Sequence, residues 1–207
     1  MLGLDFQAPT EFKKLKGIGI LCGGGNFDRS FEDAGVVDFQ YAVDSASPTI
    51  HSYRANVEDP ATMQFFLGSV NDYLARAMAG NTSPYVAPVG AIDFLANGSL
   101  CPGFSPMQMN KASDDSLRIA SLVASVVSFV DVYSPKYMVL ENVVPMTNGI
   151  GPRKNESVFV QIIASLVALG YQTRQSLIDA WSYSRCQSRT RVFIVVTAPG
   201  LRPLLHP

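Results

Sequence analysis

A cysteine in a Pro/Gly-rich loop, a glutamate closing an apolar run, two arginines two residues apart and three consecutive glycines are the features of this chain best suited to chemistry. Cys101 lies in Leu100-Cys101-Pro102-Gly103-Phe104-Ser105 rather than inside an apolar stretch. A thiolate there is the soft nucleophile needed to attack an electron-poor ring carbon. A small buried hydrophobe is the competing reading of any isolated cysteine. Glu141 ends the apolar run KYMVL, where a carboxylate is costly unless paired or functional. It suits a hydrogen bond to a heterocycle, against the plainer alternatives of a helix cap or an ion pair. Arg189 and Arg191 in Gln187-Ser188-Arg189-Thr190-Arg191 fall on one side of an extended segment. Two guanidiniums so placed can hold a carbonyl oxygen, a phosphate or Glu141 itself, or line an exposed strand edge.

Gly23-Gly24-Gly25 follows an apolar run, and glycines let a ligand approach the backbone without side chains in the way. The spacing departs from G-x-G-x-x-G, because Asp28 stands three residues after Gly25, and no Lys-Ser/Thr follows as in a phosphate loop. A nucleoside-type cofactor without a pyrophosphate is the functional reading; a tight strand-to-helix turn is the plain one. Asp44 lies about twenty residues further on, where an acid can accept hydrogen bonds from ribose hydroxyls. A solvated loop carboxylate is its alternative.

The elements that must position these residues alternate. Residues 17–22 (GIGILC) read as a buried strand, and 27–35 as a helix capped by Asn26. Residues 38–43 read as a strand, 47–56 as a helix, 60–79 as partly helical around Gly68, and 89–95 as a strand. The clearest helix is 116–133, with apolar residues from Leu117 to Val130 on a face wide enough to lie on a sheet. Pro135 bars its continuation, and 136–140 is a buried strand. A helix over 156–169 closes at Gly170, and strands over 173–179 and 191–197 follow. The pattern predicts an α/β fold: a mostly parallel sheet with helices on both faces. Ligands of such sheets bind outside the carboxyl ends of the strands, which gathers the glycines, Asp44, Cys101 and Glu141 at one rim.

The 207 residues match one domain, and 47% hydrophobic with 16% charged residues exclude a disordered tail. Sixteen Lys+Arg against 17 Asp+Glu give a net charge of −1, so any nucleic-acid contact must be local. No apolar run reaches the ~18–20 residues of a membrane span, and the first residues lack the pattern of a signal peptide. Cys22, Cys101 and Cys186, with only His51 and His206, supply a zinc site poorly and read as reduced thiols of a cytosolic or nuclear protein. Three N-x-S/T triplets, at Asn81, Asn97 and Asn155, read as chance matches.

Taken in order, these pieces resemble the cytosine-5 DNA methyltransferases. Cys22-Gly23-Gly24-Gly25-Asn26-Phe27 is similar to the first motif of that family. Tyr41-Ala42-Val43-Asp44 with His51-Ser52-Tyr53-Arg54-Ala55-Asn56 is similar to the second, and Cys101-Pro102-Gly103-Phe104-Ser105 to the nucleophile loop. Glu141-Asn142-Val143 resembles the E-N-V motif and Gln187-Ser188-Arg189-Thr190-Arg191 the Q-x-R-x-R motif. Residues 121–143 and 179–201 look closest to the fungal branch, the "defective in methylation" type. The resemblance implies a Rossmann-like fold with an antiparallel strand near the C-terminus, and S-adenosyl-L-methionine as cofactor. It also implies a cytosine flipped out of duplex DNA as substrate, a nuclear location and chromatin-associated partners. Cys101 would attack C6 of the base, Glu141 would hold N3 and the exocyclic amine, Arg191 the carbonyl, and Arg189 the loop or a phosphate. Leu21, Cys22, Gly23, Gly25, Asn26, Phe27, Asp44, Ser45, Ser69, Val70 and Leu100 would line the cofactor. Residues 104–115, with Met107 and Met109, would form a loop closing over the base.

Departures from the family pattern fall on the cofactor side. The usual acid and aromatic of the first strand are Gly19 and Leu21, the aromatic after the second-strand acid is Ser45, the third motif's acid falls near Ser69, and Leu100 replaces a proline. No counterpart of the family's target-recognition domain or last two motifs is found, so 1–207 is expected to be one incomplete catalytic domain. A non-catalytic remnant acting as a binding or scaffold module is the competing expectation.

Overall fold

The computed structural model describes residues 13–81, 83–98, 114–148, 157–183 and 186–203. The chain begins with strand β1 (Leu15–Ile20), helix α1 (Asn26–Asp33), strand β2 (Val37–Asp44), helix α2 (Ser47–Asn56) and strand β3 (Gln64–Leu67). Helix α3 (Val70–Met78) then crosses to strand β4 (Phe94–Gly98), followed by helix α4 (Asp114–Tyr133) and strand β5 (Tyr137–Val143). Helix α5 (Val158–Ala168), strand β6 (Gln172–Asp179) and strand β7 (Thr190–Thr197) complete it. The seven strands lie in the order β3-β2-β1-β4-β5-β7-β6. All pairings from β3 to β5 are parallel, and β7 runs antiparallel to both β5 and β6. The order reverses between β1 and β4, which opens a crevice at their carboxyl ends.

Helices cover both faces, and two apolar layers result. On one side Tyr73 of α3, Phe129 and Val130 of α4 and Ile162 and Leu166 of α5 pack on Ile18, Ile20, Leu95 and Leu140. On the other, Tyr53 of α2 and Phe27 and Phe31 of α1 pack with Phe39, Ala42, Phe94 and Ala96. The row Ala42–Gly19–Ala96, in register across β2, β1 and β4, carries almost no side-chain bulk, so α1 can lie close to the sheet there. Tyr73 and Tyr133 clamp one backbone unit between them: the Tyr73 hydroxyl accepts from the Ala87 N–H (2.8 Å) and the Tyr133 hydroxyl donates to the Ala87 carbonyl (2.9 Å).

Most elements lie where the hydrophobic period places them, with local corrections. Gly25, not Asn26, caps α1, in the left-handed region (φ 80) and without a side-chain cap bond; Asn26 is already helical. The stretch 60–79, expected to be partly helical around Gly68, is helical after Gly68, where α3 is capped by Ser69, and before it forms the edge strand β3. The strand expected over 89–95 starts only at Phe94, because Gly90 (φ 81) and the Ala91 N–H bond to the Pro88 carbonyl hold a turn before it. β5 continues through Glu141 to Val143, so Glu141 sits within the strand, paired with Gly98 and Phe193, rather than beyond its end.

Candidate active site

The glycine turn leaves β1 through a strained corner. Leu21 takes φ 52, a conformation L side chains rarely adopt, and Gly23 (φ 55) and Gly25 (φ 80) take it as well. The Gly25 N–H closes the turn on the Cys22 carbonyl at 3.0 Å. Asp44, at the end of β2 and 8% exposed, spans the turn and its own loop. Its Oδ2 accepts from the Gly23 N–H (2.9 Å) and its Oδ1 from the Ala46 N–H (2.8 Å). A carboxylate oxygen has a second acceptor site, so the orientation is fixed while capacity for ligand hydroxyls remains. A Cβ built on Gly23 or Gly24 meets nothing within 4 Å, whereas one on Gly25 would lie 2.3 Å from the Tyr53 ring. The turn therefore has one open face and one face sealed by protein.

Cys22 is buried beside the turn, and burial pushes its thiol well above the usual range, with Asp28 and Asp44 adding to the effect. It is packing, not a nucleophile. Asp28, in the first turn of α1, is wholly buried. The Tyr53 hydroxyl donates to its Oδ2 at 3.1 Å, and its Oδ1 has no hydrogen-bond partner among the described residues. Burial raises its carboxyl well above the ordinary range, Glu32 adds to this, and the Tyr53 bond opposes it. The sequence reading overlooked Asp28. The one sign of it was Gly19, a glycine in the middle of an otherwise apolar strand.

Across the crevice, the Arg191 Nε lies 2.9 Å from the Glu141 Oε1, with the two side chains 20% and 16% exposed. The contact is an ion pair whose Nε–H is not aligned as a directed hydrogen bond. Both residues line a cavity of about 370 Å³ with Asn26, Phe27, Arg189 and Phe193. The cavity brings the first residues of α1, Asn26 and Phe27, together with the two charged residues, and its mix of apolar side chains with a carboxylate and guanidiniums suits a planar polar ring. Of the pair's alternative readings, the structure selects the mutual one: the arginine of β7 holds the carboxylate of β5. Asn97, fully buried near the end of β4, has neither amide atom partnered among the described residues, and the same is true of the Asn142 Nδ2.

The remaining candidates separate. Ser45 is exposed after β2, Val70 is buried at the start of α3, and the Ser69 hydroxyl is committed to accepting from the Asn71 N–H at 3.2 Å. Leu100 and Cys101 lie outside the described residues, as does the expected closing loop apart from Asp114 and Asp115, which open α4. Among the described residues, no group of three or more His, Cys, Asp or Glu side chains is placed to hold a metal ion, and no helix is long and apolar enough to cross a membrane.

A doubly wound sheet with one reversed strand, a glycine turn tied to an acid on β2, and a carboxylate on β5 define a Rossmann-like methyltransferase fold. The C-5 cytosine-specific DNA methylase family matches residues 15–205, and the chain belongs to that family. It is 30% identical over 205 residues to DNA (cytosine-5)-methyltransferase PliMCI of Paracentrotus lividus, covering 97% of this chain and 12% of that protein. It is 29% identical to DNA (cytosine-5)-methyltransferase 1 of Mus musculus, again over 97% of this chain and 12% of the relative. With Type II methyltransferase M.AgeI of Thalassovita gelatinovora the identity is 31%, over 91% of this chain and 41% of the other. The chain thus spans less than half the length of each of these relatives. Among solved structures, the Entamoeba histolytica methyltransferase EhMeth superposes with a TM-score of 0.65 at 16% identity, over 94% of this chain and 56% of that one. The S. pombe Dnmt2 methyltransferase gives 0.62 at 14% identity, over 93% and 52%. These likenesses bear on the fold.

Proposed function

We propose that this chain is the catalytic core of a DNA (cytosine-5)-methyltransferase, closest to the fungal "defective in methylation" type, working in the nucleus with chromatin-associated partners on DNA. Residues 1–207 belong to one incomplete catalytic domain in this reading. The observation that carries it is the Glu141–Arg191 ion pair opening into the same cavity as Asn26 and Phe27, the two residues of α1 that directly follow the glycine turn.

S-adenosyl-L-methionine fits the turn: Gly23 and Gly24 present open backbone, and Asp44 is held with acceptor capacity to spare. Leu21, Cys22, Gly25, Asn26 and Phe27 would shape that end and Ser45, Ser69 and Val70 the adenine end, with Leu100, outside the described residues, as a further cofactor contact. Ser45 offers no ring to stack there, so the adenine end rests on weaker contacts. The bound cofactor supplies an electrophilic methyl group. The Cys101 thiolate adds to C6 of a flipped cytosine, and the ring electrons move to C5. Glu141 holds N3 and the exocyclic amine as charge develops, and Arg191 holds both the base carbonyl and Glu141. After C5 is methylated, loss of the C5 proton re-forms the C5–C6 double bond and expels the Cys101 sulfur. Arg189 steadies a phosphate or the loop.

Calorimetry with S-adenosyl-L-methionine, followed by trapping on DNA containing 5-fluorocytosine, tests this reading. The expected result is cofactor binding and a covalent adduct that disappears in Cys101→Ser. Absence of binding at millimolar cofactor would overturn the enzymatic reading of this chain and leave a non-catalytic binding module.

A further inference from the structure

Gly19 and Asp28 occupy one space. A Cβ on Gly19 would lie 1.9 Å from the Asp28 Oδ2 and 2.8 Å from its Cγ, so any side chain at position 19 would stand where the Asp28 carboxyl is. Strand β1 therefore carries glycine at the place where the family resemblance calls for an acid, and helix α1 fills the vacated volume with one. The small row Ala42–Gly19–Ala96 is what admits it. The carboxyl is tied onward: Tyr53 donates to the Oδ2, and the same Tyr53 ring seals the back of Gly25, 2.3 Å from where a Cβ would be. A continuous interlock thus runs from β1 through α1 and α2 to the cofactor turn. Asp28 is wholly buried with one oxygen unpartnered, a state that proteins rarely keep without a use for the group.

We infer that Asp28 is a positioning residue for the glycine turn, the acid of the first motif moved from the strand to the helix and coupled to Gly25 through Tyr53. The inference rests on the cofactor reading above. Its burial favours the neutral acid, a form that an amide of the same shape can replace. Packing alone would tolerate a small apolar side chain; positioning requires a polar group in this one volume.

The test is a reciprocal exchange, read by calorimetry with S-adenosyl-L-methionine and by hydrogen exchange at the Gly23 and Gly25 amides, which bond to Asp44 and Cys22. Melting temperatures are recorded alongside, so that only folded variants are scored for binding. Asp28→Asn is expected to bind within about twofold of the parent, and Asp28→Ala at least tenfold more weakly. Gly19→Asp alone is expected to melt well below the parent and to lose binding. Gly19→Asp combined with Asp28→Ser is expected to recover both to within a few-fold. A folded Asp28→Ala that binds like the parent, or a double exchange no better than Gly19→Asp, overturns the inference. Should the parent bind no cofactor, the proposed function fails by itself and the exchange rates decide. At least tenfold faster exchange at Gly23 and Gly25 in Asp28→Ala, reversed in the double exchange, sustains the positioning role. Unchanged rates overturn it.

Discussion

At the scale of single residues, Asp28 and the Glu141–Arg191 pair meet opposite environments, one an acid buried without a cation and the other a carboxylate paired with one. Asp28 sits at a helix N-terminus, which favours the anion, and in complete burial, which favours the acid; burial prevails. Cys22, Glu32 and Tyr53 face it, and none is cationic. Its folded pKa is raised above the unfolded value near 3.9, so its effect on stability is linked to pH. The folded state keeps the proton that the unfolded chain releases, so stability is greatest below the unfolded pKa. It then falls as pH rises toward the folded pKa, by at most about 1.4 kcal/mol per unit. Urea denaturation of Asp28→Asn against the parent should therefore show a difference that moves in favour of the variant as pH rises above the unfolded value, and levels off once the folded pKa is passed. A difference flat in pH would mean that Asp28 is ionised. Arg191 and Glu141 are instead a mostly buried pair. Removing the cation in Arg191→Ala is expected to cost about 1–2 kcal/mol in denaturant titration, less than a fully buried pair because water still reaches both groups. Arg191→Lys keeps the charge but not the planar fork, so it should restore most of that stability while slowing adduct formation at least about tenfold.

At the scale of elements, the glycine turn shows what spacing can and cannot convey. Its existence, its place between strand and helix, and its link to Asp44 were legible, because Gly-Gly-Gly after an apolar run and an acid about twenty residues on are local signals. That its two faces differ was not legible, since Tyr53 arrives from another helix. The distinction predicts unequal alanine substitutions. Gly25→Ala meets both a positive φ and the Tyr53 ring, and should lose at least about 2 kcal/mol of stability together with cofactor binding. Gly24→Ala projects into open space, so its melting temperature should match the parent's while its cofactor affinity falls; a loss of stability there would show that the open face is packed. β3 escaped notice for a related reason. Gln64–Leu67 is four residues at a sheet edge, too short for alternation to show and directly followed by a capped helix. β4 was placed too early because Val89, Ala91 and Ile92 are apolar, although the Pro88–Gly90 turn keeps them out of the sheet.

At the scale of the whole molecule, the doubly wound topology does the gathering. β1, β2 and β4 all end at one rim, and β5 carries Glu141 toward it, so residues far apart in sequence meet there without long loops. A net charge of −1 gives the chain no long-range attraction for a polyanion. In the proposed reading, contact with a nucleic acid therefore comes from local groups such as Arg189.

The reversal of β7 sets what the molecule can tolerate. In β7 the rim is reached at the start of the strand, so Arg189 arrives just ahead of the pairing with β5 and Arg191 opens it, opposite Val143. A parallel strand would have left it at the opposite edge of the sheet, roughly 20 Å away by the rise of a strand this long. Residues added ahead of Gln187 therefore lengthen a connection and leave Arg191 opposite Val143. A single residue deleted inside β7, by contrast, would turn the guanidinium to the other side of the sheet and strand Glu141 in the cavity.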